Sequence, residues 1–278
     1  MKPPRILLTN DDGILSPGLK AAAEALAPMG EVIVVAPRVQ QSGAGRGMWG
    51  GRDERLSPMP FEAAGRRLKA YACACSPAQV VLHGMNVLFG RGAPELLVSG
   101  INYGENLGYN VTLSGTIGAA LQGASMGAPA LAMSVQTVHA FADRYEQVDW
   151  SAAQHFTALF ARLLLRRRLP HDVHVLNVDV PDGATPRTPW KVTALARQEY
   201  FTTRLETPSL DSRLGDGATG VYFDRCGLEG GSDIHAILQE RVVSVTPLSL
   251  DLTSRVSLED LRTLLAAGDA TDNTEGRG

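Results

Sequence analysis

The first 36 residues predict a strand, a helix and a second strand, and this unit constrains the fold more than any other part of the chain. Arg5–Asn10 is a short apolar run, Ser16-Pro17 supplies an N-cap and a first helical residue, and Glu31–Ala36 is a β-branched run typical of a buried parallel strand. Such a unit joins two parallel strands through a right-handed crossover. We therefore expect an α/β protein with a parallel sheet.

The rest of the chain continues the alternation of strands and helices. Strands are expected over 68–75, 95–99, 130–135, 173–180, 190–197, 220–224 and 242–246, and helices over 76–89, 117–126, 149–169, 232–239 and 258–267. Polar loops separate the strands at 190–197 and 220–224, which is the pattern of an antiparallel extension. The polar residues 269–278 are expected to form a disordered tail.

Two adjacent carboxylates, Asp11 and Asp12, follow the first strand directly. They repel each other unless a cation neutralises them, and oxygen ligands of this kind suit Mg²⁺, Mn²⁺ or Ca²⁺. A metal site at the carboxyl end of the first strand is therefore one hypothesis. The alternative is structural, with the two residues forming an Asx turn and a helix cap.

Two later segments are expected to reach the same edge of the sheet as Asn10–Gly13. One contains Ser42-Gly43 and follows the second strand, and the other is Ser99–Thr116. Ligands of open α/β sheets bind at this carboxyl edge. Ser114-Gly115-Thr116 directly precedes a helix, where backbone N–H groups and the helix dipole favour an anion. These residues predict a divalent metal beside a phosphate. Because the sequence shows no nucleophile paired with a base, a metal-activated water is the expected nucleophile.

Composition excludes several classes of function. The net charge of −3 argues against a general nucleic-acid binder, and no apolar run reaches the ~18 residues that a membrane span needs. The N-terminal residues show no signal-peptide pattern, so a cytoplasmic location is expected. The odd number of cysteines, which are Cys73, Cys75 and Cys226, argues against a disulfide framework, and we expect free thiols.

Two non-enzymatic interpretations share the acidic pair. A receiver domain also holds Mg²⁺ with acids after its first strand, but it needs a phosphoacceptor Asp where this chain has Val98-Ser99-Gly100. A metal-dependent nucleotide-binding or sensing module with the same site stays open as an alternative. Turnover of a phosphomonoester with added metal separates it from an enzyme.

Several of these motifs together resemble the survival protein SurE family of metal-dependent 5′-nucleotidases. The matching segments are Thr9–Gly13, Ala36-Pro37 through Gln41-Ser42-Gly43, Val98–Asn102 with Gly104, Asn106 and Leu107-Gly108, Ser114-Gly115-Thr116, and 244–253. The resemblance spans about residues 5 to 253. The chain departs from the family pattern at 76–79 and 177–179 and matches it weakly over 45–60, and these departures bear on base preference and on the helix and loop expected to shape the pocket.

The resemblance implies a set of site residues. The implied metal ligands are Asp11, Asp12, Ser42 and Asn102, which would hold one divalent ion per subunit, Mg²⁺ or Mn²⁺. Asp11, Asp12 and Asn106 are the implied catalytic residues, with Asp11 the hypothetical base. The implied phosphate and substrate contacts are Asn10, Gly43, Asn106, Ser114, Gly115 and Thr116.

The resemblance also implies an architecture and an activity. The fold is expected to be a Rossmann-like, mostly parallel sheet flanked by helices, with a core over 1–136, the remainder over 137–268, and a protruding β-rich extension at about 185–240. The extension is expected to serve assembly as a homodimer or homotetramer. The implied activity is hydrolysis of nucleoside 5′-monophosphates, with 3′-monophosphates and polyphosphate as further candidate substrates.

Overall fold

The computed structural model describes residues 2–137, 148–224 and 227–272, with side chains described up to residue 266. Its strands are β1 (Arg5–Thr9), β2 (Glu31–Pro37), β3 (Ser57–Pro58), β4 (Glu62–Ala63), β5 (Arg66–Arg67), β6 (Lys69–Cys73), β7 (Leu96–Tyr103), β8 (Ala130–Val135), β9 (Val175–Val180), β10 (Trp190–Val192), β11 (Phe201–Arg204), β12 (Ala218–Val221) and β13 (Val243–Leu248). Nine of them form one sheet in the order β10-β13-β9-β8-β7-β1-β2-β6-β3, and β4–β5 and β11–β12 form separate two-stranded sheets.

The centre of the sheet is parallel, as the first strand–helix–strand unit predicts. The strands β6, β2, β1, β7, β8 and β9 all run in the same direction. The outer strands β3 and β13 pair antiparallel to β6 and β9. The expected α/β class with a mostly parallel sheet is therefore confirmed.

Helices cover both faces of this sheet. Their bounds are α1 (Pro17–Leu26), α2 (Pro77–Phe89), α3 (Gly115–Ser125), α4 (Ser151–Arg166), α5 (Asp233–His235) and α6 (Leu258–Asp272), with a π-helical turn at Ala236–Glu240 and 3₁₀ turns at Gly108–Thr112 and Leu214–Asp216. One apolar core lies between the sheet and α1 with α4, and a second lies between the sheet and α2 with α3. This layering leaves the carboxyl ends of the central strands open at one edge.

The late part of the chain differs from the sequence prediction in two ways. The strand expected over 190–197 is the short β10, which joins the edge of the main sheet and runs parallel to β13, so it is not part of an antiparallel extension. The strand β11 was not predicted, and it pairs antiparallel with β12. Both strands of this hairpin are largely exposed and lack an apolar face, so hydrophobic periodicity gives little signal for them.

Several sequence expectations concern regions at the margins of the fold. The last helix continues to Asp272, five residues beyond its expected end, while 273–278 lie outside the described residues. Cys73 and Cys75 are buried free thiols, and Cys226 lies outside the described residues.

In the described part of the chain, we find no helix with both the length and the apolar character to cross a membrane. The role of the extension in assembly stays a prediction.

Candidate metal and phosphate site

A pocket of about 450 Å³ opens at the carboxyl edge of β1 and β7. Loops after β1, β2 and β7 meet there, as their positions at the ends of parallel strands predict. The lining residues are Asp11, Asp12, Ser42, Gly43, Asn102, Tyr103, Gly104, Glu105, Asn106, Asn110, Leu113, Ser114, Glu199, Phe201, Thr202, Thr203 and Thr219. Its volume falls in the range of small-molecule sites.

Asp11 lies on the floor of this pocket against the start of α3. The Thr116 hydroxyl donates a hydrogen bond to Asp11 Oδ1. Burial raises the pKa of Asp11 to about 6, and hydrogen bonds from the hydroxyl and the backbone N–H of Thr116 partly oppose this rise. The anion that the structure places at the start of α3 is therefore the Asp11 carboxylate itself.

Asp12 has a different set of donors. Gln40 Nε2 donates to Asp12 Oδ1 at 3.1 Å, and the Tyr103 backbone N–H donates to Asp12 Oδ2 at 3.1 Å. Burial and then the negative charge of Asp11 raise the pKa of Asp12 to about 7. The Asp12 carboxylate, which follows β1, is thus held by one donor from the loop after β2 and one from the last residue of β7.

A glycine at the first residue of α3 allows this approach of helix and carboxylate. A Cβ atom added at Gly115 would lie 2.7 Å from Asp11 Cβ and 2.8 Å from Asp11 Oδ2, well inside van der Waals contact. Neither Gly115 nor Thr116 lines the pocket, whereas Ser114, which caps α3 by accepting from the Ile117 N–H, does. The two residues predicted to contact the phosphate support Asp11 instead, and a direct contact stays a prediction.

The turn after β1 is made by Asn10 and not by the two acids. Asn10 Oδ1 accepts from the Gly13 N–H at 3.2 Å, and Asn10 Nδ2 donates to the Gly13 carbonyl at 3.0 Å. Gly13 has a φ of +98°, which favours glycine. Ser16 occupies the N-cap position of α1. Asn10 is fully buried and does not line the pocket, and its predicted contact with substrate stays a prediction.

Neutral oxygens complete the floor of the pocket. Ser42 and Gly43 line it from the loop after β2. The amide nitrogen of Asn102 donates to the Gly104 carbonyl at 2.7 Å, so the amide oxygen is the atom that Asn102 would offer to a cation. The strand register shifts between Ser99 and Asn102 where β7 pairs with β8.

These side chains fit a hard divalent cation. Among residues 2–137, 148–224 and 227–272, we find no cluster of three or more His, Cys, Asp or Glu residues that could hold a metal ion. A cation would therefore depend on the neutral oxygens of Asn102 and Ser42 besides the two carboxylates. Asp11 and Asp12 are both 6% exposed, and a cation would relieve their burial and mutual repulsion.

Asn106 lies on the pocket wall in a buried hydrogen-bond network. Its backbone N–H donates to Asp179 Oδ1 at 2.7 Å, and its Nδ2 donates to Ser134 Oγ at 2.9 Å. Asn177 Nδ2 bridges the Asn106 carbonyl and Asp179 Oδ2, at 3.0 and 2.8 Å. Burial raises the pKa of Asp179 well above its ordinary range. The side chain of Asn106 is thereby held in one orientation, with one amide N–H left for a ligand.

The β11–β12 hairpin forms the far wall of the pocket, and sequence reasoning missed it. Asn110 Oδ1 accepts from the backbone N–H groups of Tyr200 and Phe201 at 2.6 and 2.9 Å, and Asn110 Nδ2 donates to the Phe201 carbonyl at 2.9 Å. The Tyr200 hydroxyl donates to the buried Glu105 at 2.7 Å. The Asn-rich segment 102–110 was recognised, but nothing local in the sequence indicates which distant backbone groups it binds.

Substitution of Asn110 by alanine is expected to loosen this wall. Three hydrogen bonds to the hairpin are lost, at about 1 kcal/mol each. Because the hairpin lines only the outer part of the pocket, we expect the KM for a nucleoside monophosphate, the substrate that the resemblance implies, to rise about tenfold, with kcat changed less. Steady-state kinetics measure this split. Thr112→Ala in the same 3₁₀ turn is the control, since its hydroxyl bonds only locally to Tyr109. A fall in kcat with unchanged KM would contradict this role.

The fold and the pocket together define a class of protein. It is a Rossmann-like α/β protein with an oxygen-lined acidic site at the carboxyl edge of its sheet. The family model described as "Survival protein SurE" matches residues 6–202. The chain belongs to the survival protein SurE family, which confirms the resemblance seen in the sequence.

Individual relatives match over nearly the whole chain. The chain is 41% identical over 257 residues to a protein of Methanocella arvoryzae named 5′-nucleotidase SurE, covering 90% of this chain and 93% of that one. It is 38% identical over 268 residues to the protein of the same name from Thermococcus kodakarensis, covering 95% and 99%. The crystal structure of the SurE protein from Aquifex aeolicus superposes with a TM-score of 0.72 at 30% identity, covering 94% of this chain and 99% of that one. The name of the first two describes a hydrolase of phosphoric monoesters, the predicted class of enzyme.

Proposed function

We propose that this protein is a divalent-metal-dependent phosphomonoesterase that hydrolyses nucleoside 5′-monophosphates to nucleoside and phosphate. The observation that carries the proposal is the buried pair Asp11 and Asp12 at the floor of a pocket with neutral oxygen donors around it. The names of the relatives from Methanocella and Thermococcus support the same activity. Nucleoside 3′-monophosphates and polyphosphate are secondary candidate substrates.

Four residues would hold the metal ion, one Mg²⁺ or Mn²⁺ per subunit. They are the predicted ligands Asp11, Asp12, Asn102 and Ser42, all of which line the pocket. When bound, such an ion polarises a phosphate oxygen and makes a water more acidic. The donor set contains only oxygen, which suits these hard ions better than zinc.

The chain's own residues would then divide the remaining work. Asp11 is oriented by Thr116 and can take a proton from an attacking water. Asn106 can donate its remaining amide N–H to a phosphoryl oxygen, and Ser114 lies on the same wall. Phe201 and the threonines of the hairpin form the opposite wall of the pocket, against which the nucleoside would lie. The phosphate would thus be held at the floor, with the neutral part of the substrate against the hairpin.

The activity is expected to depend strictly on metal. Because no basic residue lines the described part of the pocket, the phosphate dianion has no other cation to pair with, and treatment with EDTA should lower turnover at least about 10³-fold. Phosphate release should be measured for AMP, GMP, CMP, UMP and a 3′-monophosphate, each with Mg²⁺ and with Mn²⁺. Calorimetric titration with metal and AMP gives binding independently of turnover. Binding without phosphate release would favour the sensing alternative over an enzyme.

Location and assembly stay predictions. Cytoplasmic location rests on the sequence pattern alone, and assembly as a homodimer or homotetramer rests on the resemblance. Helix α6 exposes Leu258, Leu264 and Leu265, which are 63%, 70% and 66% exposed, so an assembled form has apolar surface here to bury.

A further inference from the structure

The charge of the pocket is unusual for a site that would bind phosphate. Four carboxylates line it, those of Asp11, Asp12, Glu105 and Glu199, and among the described lining residues there is no Lys, Arg or His. Phosphate sites commonly use arginine or lysine to hold the extra negative charge. Here one divalent ion at the floor would offset only the charge of the two aspartates, so the reacting phosphoryl group already leaves the site with an excess of negative charge. Any further negative charge on the substrate would meet only carboxylates and neutral groups.

The two glutamates differ in their surroundings. Glu105 is 4% exposed, accepts from the Tyr200 hydroxyl, and has its pKa raised by burial. Glu199 is exposed on the hairpin side of the pocket, remote in sequence from the acidic floor. Of the two, Glu199 is therefore the carboxylate that the outer part of a bound substrate can reach.

The position of Glu199 is fixed by its neighbours in the chain. Tyr200 is 1% exposed and packs in a small apolar cluster with Leu107, Ile234 and Ile237. The backbone N–H groups of Tyr200 and Phe201 are both held by Asn110. Glu199 also borders a neighbouring cleft with Arg204, but that guanidinium lies over the ring of Tyr222, 3.8 Å from its centre. The backbone that follows Glu199 is thus anchored, and this keeps Glu199 at the pocket wall.

We propose that Glu199 determines substrate specificity by rejecting substrates that are anionic beyond the reacting phosphoryl group. This inference rests on the proposed phosphomonoesterase function. A nucleoside is neutral and carries hydroxyl and amino groups that can donate hydrogen bonds to a carboxylate. In a polyphosphate the corresponding part of the substrate is itself anionic and is repelled. The carboxylate therefore selects nucleoside monophosphates and disfavours polyphosphate, the secondary candidate substrate.

The test compares two substrates in the full-length protein and its Glu199→Gln variant. The kcat/KM values for AMP and for inorganic tripolyphosphate are measured by phosphate release at a fixed free concentration of Mn²⁺, because tripolyphosphate chelates metal. We expect the ratio of AMP to tripolyphosphate kcat/KM to fall about tenfold in the variant, which corresponds to about 1.4 kcal/mol. Inhibition of AMP turnover by tripolyphosphate should strengthen by a similar factor, and this comparison does not require tripolyphosphate to be hydrolysed. Added salt should weaken the discrimination in the wild type more than in the variant.

The matched control is Glu206→Gln, which removes the same charge from the exposed loop of the same hairpin but outside the pocket lining. Its substrate ratio should equal that of the wild type. An unchanged ratio and inhibition constant in Glu199→Gln, or an equal change in Glu206→Gln, would overturn the role of Glu199 and leave the proposed function standing. If the wild-type protein released no phosphate from any nucleotide with either metal, the proposed function would fail, and this inference would fall with it.

Discussion

Asp12→Asn is expected to lower kcat/KM for a nucleoside monophosphate by about 10³-fold or more at saturating metal. The substitution keeps the shape of the side chain, and an asparagine oxygen can still accept from the Tyr103 N–H. It removes one of the two carboxylates in the proposed ligand set, so metal affinity should fall with activity. Phosphate release and metal titration of the variant measure the two effects. Asp53→Asn, the same change at an exposed position outside the pocket, should leave both unchanged.

The same variant should be more stable than the wild type when metal is absent. In the folded protein burial and the charge of Asp11 raise the pKa of Asp12 to about 7, whereas an unfolded Asp titrates near ~3.9. Below about pH 4 both states hold the proton, and as the pH rises towards about 7 only the unfolded state releases it readily. Folding stability is therefore lost across this window, and it stays low above it. Asparagine cannot ionise, so the free energy of unfolding of the variant should exceed that of the wild type by on the order of 2 kcal/mol at pH 8.

Thermal or urea unfolding in EDTA at pH 4.5 and pH 8 measures this effect. Buried Asp179, Asp233 and Glu105 also have raised pKa values, so the wild type and the variant will share part of the pH dependence. The difference between the two proteins isolates Asp12. If Asp12→Asn kept more than about a tenth of the activity, or if its stability followed pH as steeply as the wild type, the assignment of Asp12 would be wrong.

The sequence predicts the floor of the pocket because that floor depends on strand order alone. Short, mostly apolar runs identify β1, β2 and β8, and the carboxyl ends of parallel strands necessarily lie at one edge. Asp11, Ser42 and Asn102 are thereby brought to one pocket, although the first two come from separate loops and Asn102 lies near the end of β7. The resemblance adds which of these polar residues would ligate a metal, and that part of the assignment stays a prediction.

The wall of the pocket could not be predicted, because long-range hydrogen bonds place it. Nothing in the local sequence says that Asn110 holds Phe201, 91 residues later. The hairpin strands alternate weakly and are exposed, so β11 was not predicted. For the same reason β10 was placed in the antiparallel extension and not in the main sheet. The hydrogen bond between Thr116 and Asp11 was also not predicted, because it depends on how α3 packs against the loop after β1. Sequence patterns indicate which edge of the sheet holds the polar site residues, whereas side-chain packing determines which of these residues are in contact.

Gly115→Ala is the second substitution with a large expected effect, and it acts without removing any polar group. The new methyl would lie 2.7 Å from Asp11 Cβ and 2.8 Å from Asp11 Oδ2, distances that force the carboxylate or the start of α3 to move. Displacing a catalytic or metal-binding group by about 1 Å lowers rates by about 10²-fold, so kcat/KM should fall by about this factor. Because alanine favours a helix over glycine by up to about 1 kcal/mol, the melting temperature should change little compared with the loss of activity.

The control for this substitution is Gly215→Ala, where a Cβ atom would meet no heavy atom within 4 Å and the backbone is not in the left-handed region. It should leave both activity and metal affinity at the wild-type level. The metal titration is the decisive measurement for Gly115→Ala, since weakened binding shows that the methyl reaches the cation site through Asp11 and not through a general loss of structure. Wild-type kinetics in Gly115→Ala would mean that Asp11 need not approach the start of α3, and that its contact with Thr116 is not part of the working site.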